Sequence, residues 1–189
     1  MDLKTFEIAC WAALTEAAAD PQAGFRYLTL ATVDAAQRPQ ARTVVLRECH
    51  DVRRTLNFHT DVRSPKWQEM AANPQVTVLG YCHQRRLQLR LAGRVACYAA
   101  GSDVARAAWR ALPQHTRQTY IAGPPGEALA PAHETPVATA AETGESRFGV
   151  MIVQVNMLDA YQLQRNENPR ALFHYPAHGE RQESGWINP

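Results

Sequence analysis

Five β-rich runs crowd the stretch from Arg26 to Tyr98, and they leave the chain few ways to fold. Arg26 to Asp34, Gln40 to Arg47, Thr55 to Thr60, Val76 to Tyr81 and Arg86 to Tyr98 are each rich in Val, Leu, Thr or Tyr. Short turns such as Asp34-Ala-Ala-Gln-Arg-Pro39 join several of them. Parallel strands need long crossovers, so this hairpin-like spacing points to antiparallel pairing. Three more runs follow at Arg147 to Val155, Leu158 to Gln164 and Arg170 to Tyr175, and the tail Gly185 to Pro189 reads as a last short strand. Gly93 marks a bulge or tight bend within its run.

Helical signals fall between the strands. Asp2 caps a helix whose apolar face is Leu3, Phe6, Cys10, Trp11, Leu14 and Ala17, stopped by Pro21 and Gly24. Ser64 to Met70 forms a short helix with Pro65 at its first position, ended by Asn73-Pro74. Ser102 and Asp103 open another, with Val104, Ala108, Trp109 and Leu112 on one face, and Pro113 to Tyr120 continues as a short helical piece. The expectation is seven to nine strands with two or three inserted helices: a mainly β fold, an antiparallel barrel with added helices, not a doubly wound sheet. The chain has 189 residues, 46% of them hydrophobic, which suits one domain. Gly123 to Gly144 is plain and rich in Pro, Ala, Gly, Thr and Glu, so 122–145 is read as a flexible loop, a lid or a partner-facing arm.

Several functions are disfavoured by what is missing. Net charge is only +2 and no basic run of five occurs, which argues against nucleic acid. Met-Asp-Leu-Lys-Thr-Phe-Glu has no apolar leader, and no stretch of eighteen apolar residues exists, so a cytoplasmic protein without membrane contact is expected. Cys10, Cys49, Cys82 and Cys97 lack CxxC spacing and read as reduced thiols. The seven histidines lack HxxxH or HExxH spacing, so no metal site is expected. No GxGxxG, GxxxxGK[ST] or GxSxG occurs.

The chemistry-bearing residues gather between Arg42 and Gly93. Ser64-Pro65-Lys66 opens a helix, where unpaired N–H groups and aligned peptide dipoles favour an anion. Lys66 is one of only two lysines against eighteen arginines. Arg42 supplies a planar two-pronged donor for the same group, and Thr60 another hydroxyl. A plain capped helix with a solvated lysine would use the same three residues, so this motif alone leaves both readings open.

The wider pattern resembles the pyridoxamine 5'-phosphate oxidase family, the FMN-binding split barrels. That family carries an Arg-x-Val-Leu-Leu-Lys strand, a Tyr-Thr-Asn…Ser-Arg-Lys turn, Asn-Pro after the helix, and Arg-Gln-Val-x-Val-x-Gly on a later strand. Here these are Arg42 to Arg47, His59-Thr60-Asp61 with Ser64-Pro65-Lys66, Asn73-Pro74, and Gln88-Leu89-Arg90-Leu91-Ala92-Gly93. The resemblance implies an antiparallel split β-barrel binding FMN at the interface of a homodimer. It implies that Arg42 and Lys66 hold the FMN phosphate with Ser64 and Thr60, beside His59 and Pro65. The strand Thr43, Val44, Val45, Leu46 would face the isoalloxazine ring, ending at Arg47. Gln88 would bond the ring's polar edge through an amide that both donates and accepts. Tyr161 and Arg170 match cofactor-contacting positions near the C-terminus.

Departures from the pattern bear on the substrate. Pro65 replaces an arginine, and Arg47 replaces the lysine that in the family holds the substrate phosphate. Ala108, Leu112 and Thr116 fall where the family has a Tyr…Arg…Ser phosphate clamp, and Arg165 to Pro169 replaces an Arg-Leu-His element. The resemblance thus implies an FMN-dependent oxidoreductase whose small-molecule substrate is not readable, since a phosphorylated vitamin B6 would lose several partners here. A flavin carrier or sensor without turnover, and a barrel holding another ligand such as haem, are the alternatives.

Overall fold

All strand pairings in the computed structural model are antiparallel. The structure describes residues 1–128, 140–164, 167–175 and 183–189. Its elements run α1 (Leu3–Ala19), β1 (Tyr27–Val33), β2 (Pro39–His50), β3 (Thr55–Asp61), α2 (Pro65–Ala72), β4 (Gln75–Cys82), β5 (Leu87–Ala99), α3 (Asp103–Ala111), α4 (Gln114–Gln118), α5 (Ala140–Arg147), β6 (Phe148–Gln162), β7 (Arg170–His174) and β8 (Glu183–Ile187). Strand order is β3-β2-β1-β4-β5-β6-β7-β8, and β3 also pairs with β6. That last pairing closes β1 to β6 into a six-stranded barrel. Strands β7 and β8 extend the free half of β6 outside it.

Period-2 alternation sorts the side chains. Leu28 and Leu30 of β1, Val44 and Leu46 of β2, Val78 of β4, and Leu89 and Leu91 of β5 fill the interior and are buried. Helix α1 adds Phe6, Cys10, Trp11 and Leu14 to the same core. It is pinned by Arg54, whose guanidinium lies 4.9 Å from the Trp11 ring and 4.8 Å from that of Tyr175 while pairing with Glu7 at 2.8 Å. A second cluster, Ala105, Trp109, Leu112, Tyr120, Phe148 and Val150, seals α3 onto the outside of the barrel.

Three expectations need correction. The runs Arg147 to Val155 and Leu158 to Gln164 are one strand, β6. Asn156, which lies between those two runs, is the extra residue of a bulge: Ala92 faces Met157, but Gly93 already faces Val155. Five helices, not two or three, occur among the described residues. The loop expected over 122–145 ends in a helix, because α5 begins at Ala140; its middle, 129–139, lies outside the described residues.

Candidate functional site

The phosphate corner forms where β2, β3 and α2 meet. Arg42 pairs with Leu30 across the β1–β2 ladder, so its side chain points to the barrel's inner face. There it donates to the hydroxyl of Thr32 and to Glu69 Oε2 of α2 at 2.7 Å. Lys66 stands one turn before Glu69. Burial and then neighbouring Arg42 hold the Lys66 ammonium below the usual lysine value, while Asp61 and Glu69 oppose this. Lys66 thus stands at the start of α2 beside two carboxylates that are each paired to an arginine, Glu69 to Arg42 and Asp61 to Arg63.

The hydroxyls are arranged differently from the expected cap. Ser64 Oγ donates back to the Asp61 carbonyl at 2.6 Å and lies 3.3 Å from Thr60 Oγ1, and it makes no cap bond to α2. The Asp61–Ser64 turn places that carbonyl within easier reach than the helix amides. Pro65 has no N–H, and Trp67 N–H bonds the Ser64 carbonyl. The first turn of α2 is therefore left without a side-chain partner. Net positive charge, an uncapped helix start and two buried hydroxyls suit a phosphate monoester.

A second group of expected residues sits elsewhere. Gln88 pairs with Tyr81 on one side and Tyr161 on the other, and Tyr161 pairs with Arg170. This row lies on the outer face. Arg170 is already engaged: it grips Asp159 at 2.9 and 2.8 Å, with Arg90 at 2.8 Å from the same carboxylate. The Arg170 bonds hold the Asp159 carboxyl below the usual range. Through β1 and β4, Arg42 is level with Leu91, three residues from Gln88, but Arg42 faces the inside of the barrel and Gln88 the outside, so the two groups lie on opposite faces of the sheet.

A family model described as pyridoxamine 5'-phosphate oxidase, FMN-binding domain, matches residues 8–99. These residues belong to that family. Among curated proteins, the pyridoxine/pyridoxamine 5'-phosphate oxidase of Psychrobacter cryohalolentis is 36% identical over 78 residues, 41% of this chain and 35% of that protein. The protein of the same name from Cupriavidus necator is 43% identical over 68 residues, 36% of this chain and 31% of its own length. The chain thus aligns with about a third of the length of each. Among solved structures, a pyridoxamine 5'-phosphate oxidase-related, FMN-binding protein from Nostoc punctiforme has a TM-score of 0.80 at 24% identity, covering 100% of this chain and 99% of that one. PhzG from Burkholderia lata has a TM-score of 0.76 at 16% identity, covering 96% and 90%. At those identities the likeness is one of fold.

Within the pyridoxamine 5'-phosphate oxidase fold, the remaining expected residues take other places. Val44 and Leu46 are core residues, while Thr43 and Val45 face outward beside Thr29 and Tyr27. Arg63 does not make good the arginine replaced by Pro65, because it is bound to Asp61 at 2.6 Å. His59 and Thr60 point to opposite faces of β3, so His59 is not part of the phosphate corner. Its ring instead packs edge-on against Phe148, at 4.9 Å. Sequence reasoning missed Thr32 and Glu69, the partners of Arg42. The only signal was Glu69 three residues after Lys66, on the same side of a helix.

His59 carries a pH prediction. Its Nδ1 is buried without a partner, and burial, then Arg47, lower its pKa to about 4 from about 6.5. The unfolded chain therefore takes up this proton first. Stability is unaffected above about pH 6.5 and falls as pH drops toward 4, by about 2–3 kcal/mol from this residue. Urea melts of His59→Gln should show a flatter slope over that window, and an unchanged slope would contradict the assignment.

Proposed function

We propose that this chain is an FMN-binding oxidoreductase that works as a homodimer on a small organic substrate. The observation that carries it is the phosphate corner: Arg42 and Lys66 side by side at the uncapped start of α2, above the buried Thr60 and Ser64. The family membership of residues 8–99 supports FMN as the phosphate-bearing ligand. FMN, when bound, supplies the hydride or electron chemistry. The protein's part is to hold the phosphate at this corner and to lay the ring along Thr43 to Leu46.

Two features support a second copy. The outer face beside Thr43 and Val45 exposes apolar side chains, with Tyr27 64%, Leu79 38% and Tyr81 39% accessible. The Gln88–Tyr161–Arg170 row lies on the opposite face of the sheet from Arg42, where it is better placed to serve a partner's FMN than the chain's own. A partner's row would complete each site, and isologous pairing would give two such sites.

Complementation tests this reading. Arg42→Ala/Lys66→Ala breaks the phosphate half, and Tyr161→Ala/Arg170→Ala breaks the outer half. Co-expressed with different tags, the mixed dimer should regain one intact site and bind FMN, while neither parent does. Mixed dimers as empty as their parents would contradict a shared site.

A further inference from the structure

We propose that Arg47, His59 and Tyr120 form a receptor for a planar monoanionic carboxylate, the group by which the substrate is recognised. Its assignment to the substrate rests on the flavin reading above; the binding itself does not.

Arg47 is the extra residue of a bulge in β2. Leu46 faces Phe58 and Glu48 faces Asn57, which leaves Arg47 without a cross-strand partner. Bulges re-aim side chains, often beside active sites. Here the guanidinium comes within electrostatic reach of both His59 and Tyr120. Those two rings pack edge-on against one aromatic, Phe148, at 4.9 and 5.2 Å. The two rings thus share one apolar floor, and the Arg47 guanidinium acts on both.

The cluster has donors and charge but no acid. Arg47 Nε and His59 Nδ1 are both buried without a hydrogen-bond partner. Unmade bonds of this kind are costly, and native structures leave few of them. No carboxylate is among the groups acting on Arg47; they are Arg26, Tyr120 and Tyr27. Asp61 acts on Tyr120 but is held by Arg63. An anion from outside would satisfy these donors.

The nature of the anion follows from the geometry of the donors left free. Arg26 bonds the carbonyls of Ala17 and Ala18, and Arg147 those of Tyr120, Ile121 and Ala122. Arg117 lies over Trp109 and bonds the Arg110 carbonyl. Among the described residues Arg47 is the one of these guanidiniums that makes no hydrogen bond, while His59 stays neutral at pH 7. The fork of Nε and one Nη matches the two coplanar oxygens of a carboxylate. A phosphate dianion would need more, yet Leu112 is buried against Trp109 and Ala108 carries no polar group.

Calorimetric titration at pH 8 tests this, with benzoate on protein with and without added FMN, and with benzoate and phenyl phosphate compared in the Arg42→Ala/Lys66→Ala background, which removes the phosphate corner. Benzoate should bind with a dissociation constant at or below about 1 mM, and phenyl phosphate at least about tenfold more weakly. Arg47→Ala should weaken benzoate about tenfold or more, and Tyr120→Phe, which removes only a hydroxyl, about threefold or more. Benzoate binding untouched by Arg47→Ala, or phenyl phosphate binding as tightly, would overturn the proposal. FMN uptake without benzoate binding defeats this inference alone; benzoate binding without FMN uptake defeats the flavin reading alone.

Discussion

Replacing Arg42 and Lys66 together by alanine is expected to cost FMN binding about 3–6 kcal/mol, a loss of roughly a hundredfold to ten-thousandfold. Each side chain would contribute one charge-assisted contact to the phosphate, and the two act on the same group. The single variants should not be equal. Arg42→Ala also strips Glu69 of its partner at 2.7 Å, so a carboxylate is left facing the anion, with Lys66 drawn toward it. Lys66→Ala leaves the Arg42–Glu69 pair intact. Arg42→Ala is therefore expected to lose more affinity than Lys66→Ala, measured by quenching of flavin fluorescence. The reverse order would mean that the Arg42 side chain serves the barrel end and not the ligand.

Gly93→Ala is expected to destabilise the fold by about 2–4 kcal/mol, near the upper end for a single added methyl. A Cβ at this position would collide with the backbone carbonyl oxygen of Gln154 and sit 3.0 Å from the Cα of Val155. Backbone cannot step aside as a side chain can. The clash falls at the bulge that lets β5 curve along β6, the longest pairing in the barrel. Chemical denaturation should report a lower midpoint with an unchanged m-value. Gly185, where an added Cβ meets nothing within 4 Å, is the control and should tolerate alanine.

The barrel was legible because its strands are amphipathic in period 2 and joined by turns, and that alternation by itself assigns Leu28, Leu30, Val44, Leu46 and Leu89 to the interior. Gly93 announced its bulge. Asn156, the extra residue of that bulge on the facing strand, fell in the gap between two expected runs, because a polar interruption reads the same whether the chain leaves the sheet or merely steps out of register. The bulge at Arg47 was hidden for a similar reason: Arg47 and Glu48 read as an ordinary strand terminus. Ser64 carried a correct helix-start signal, but whether its hydroxyl bonds forward to the helix or back to Asp61 is decided by the local turn. The Arg42–Glu69 pair spans two elements, and no local pattern encodes it. Tyr120 joins Arg47 and His59 only because α3 and α4 fold back over Phe148.

The whole account turns on one ligand at one corner, and direct titration reads it. Purified protein, incubated with FMN and freed of excess, is expected to retain about one FMN per chain with its visible absorption, and inorganic phosphate should compete for binding. Protein that stays colourless after saturating FMN, with flavin fluorescence unchanged throughout, would contradict the central claim.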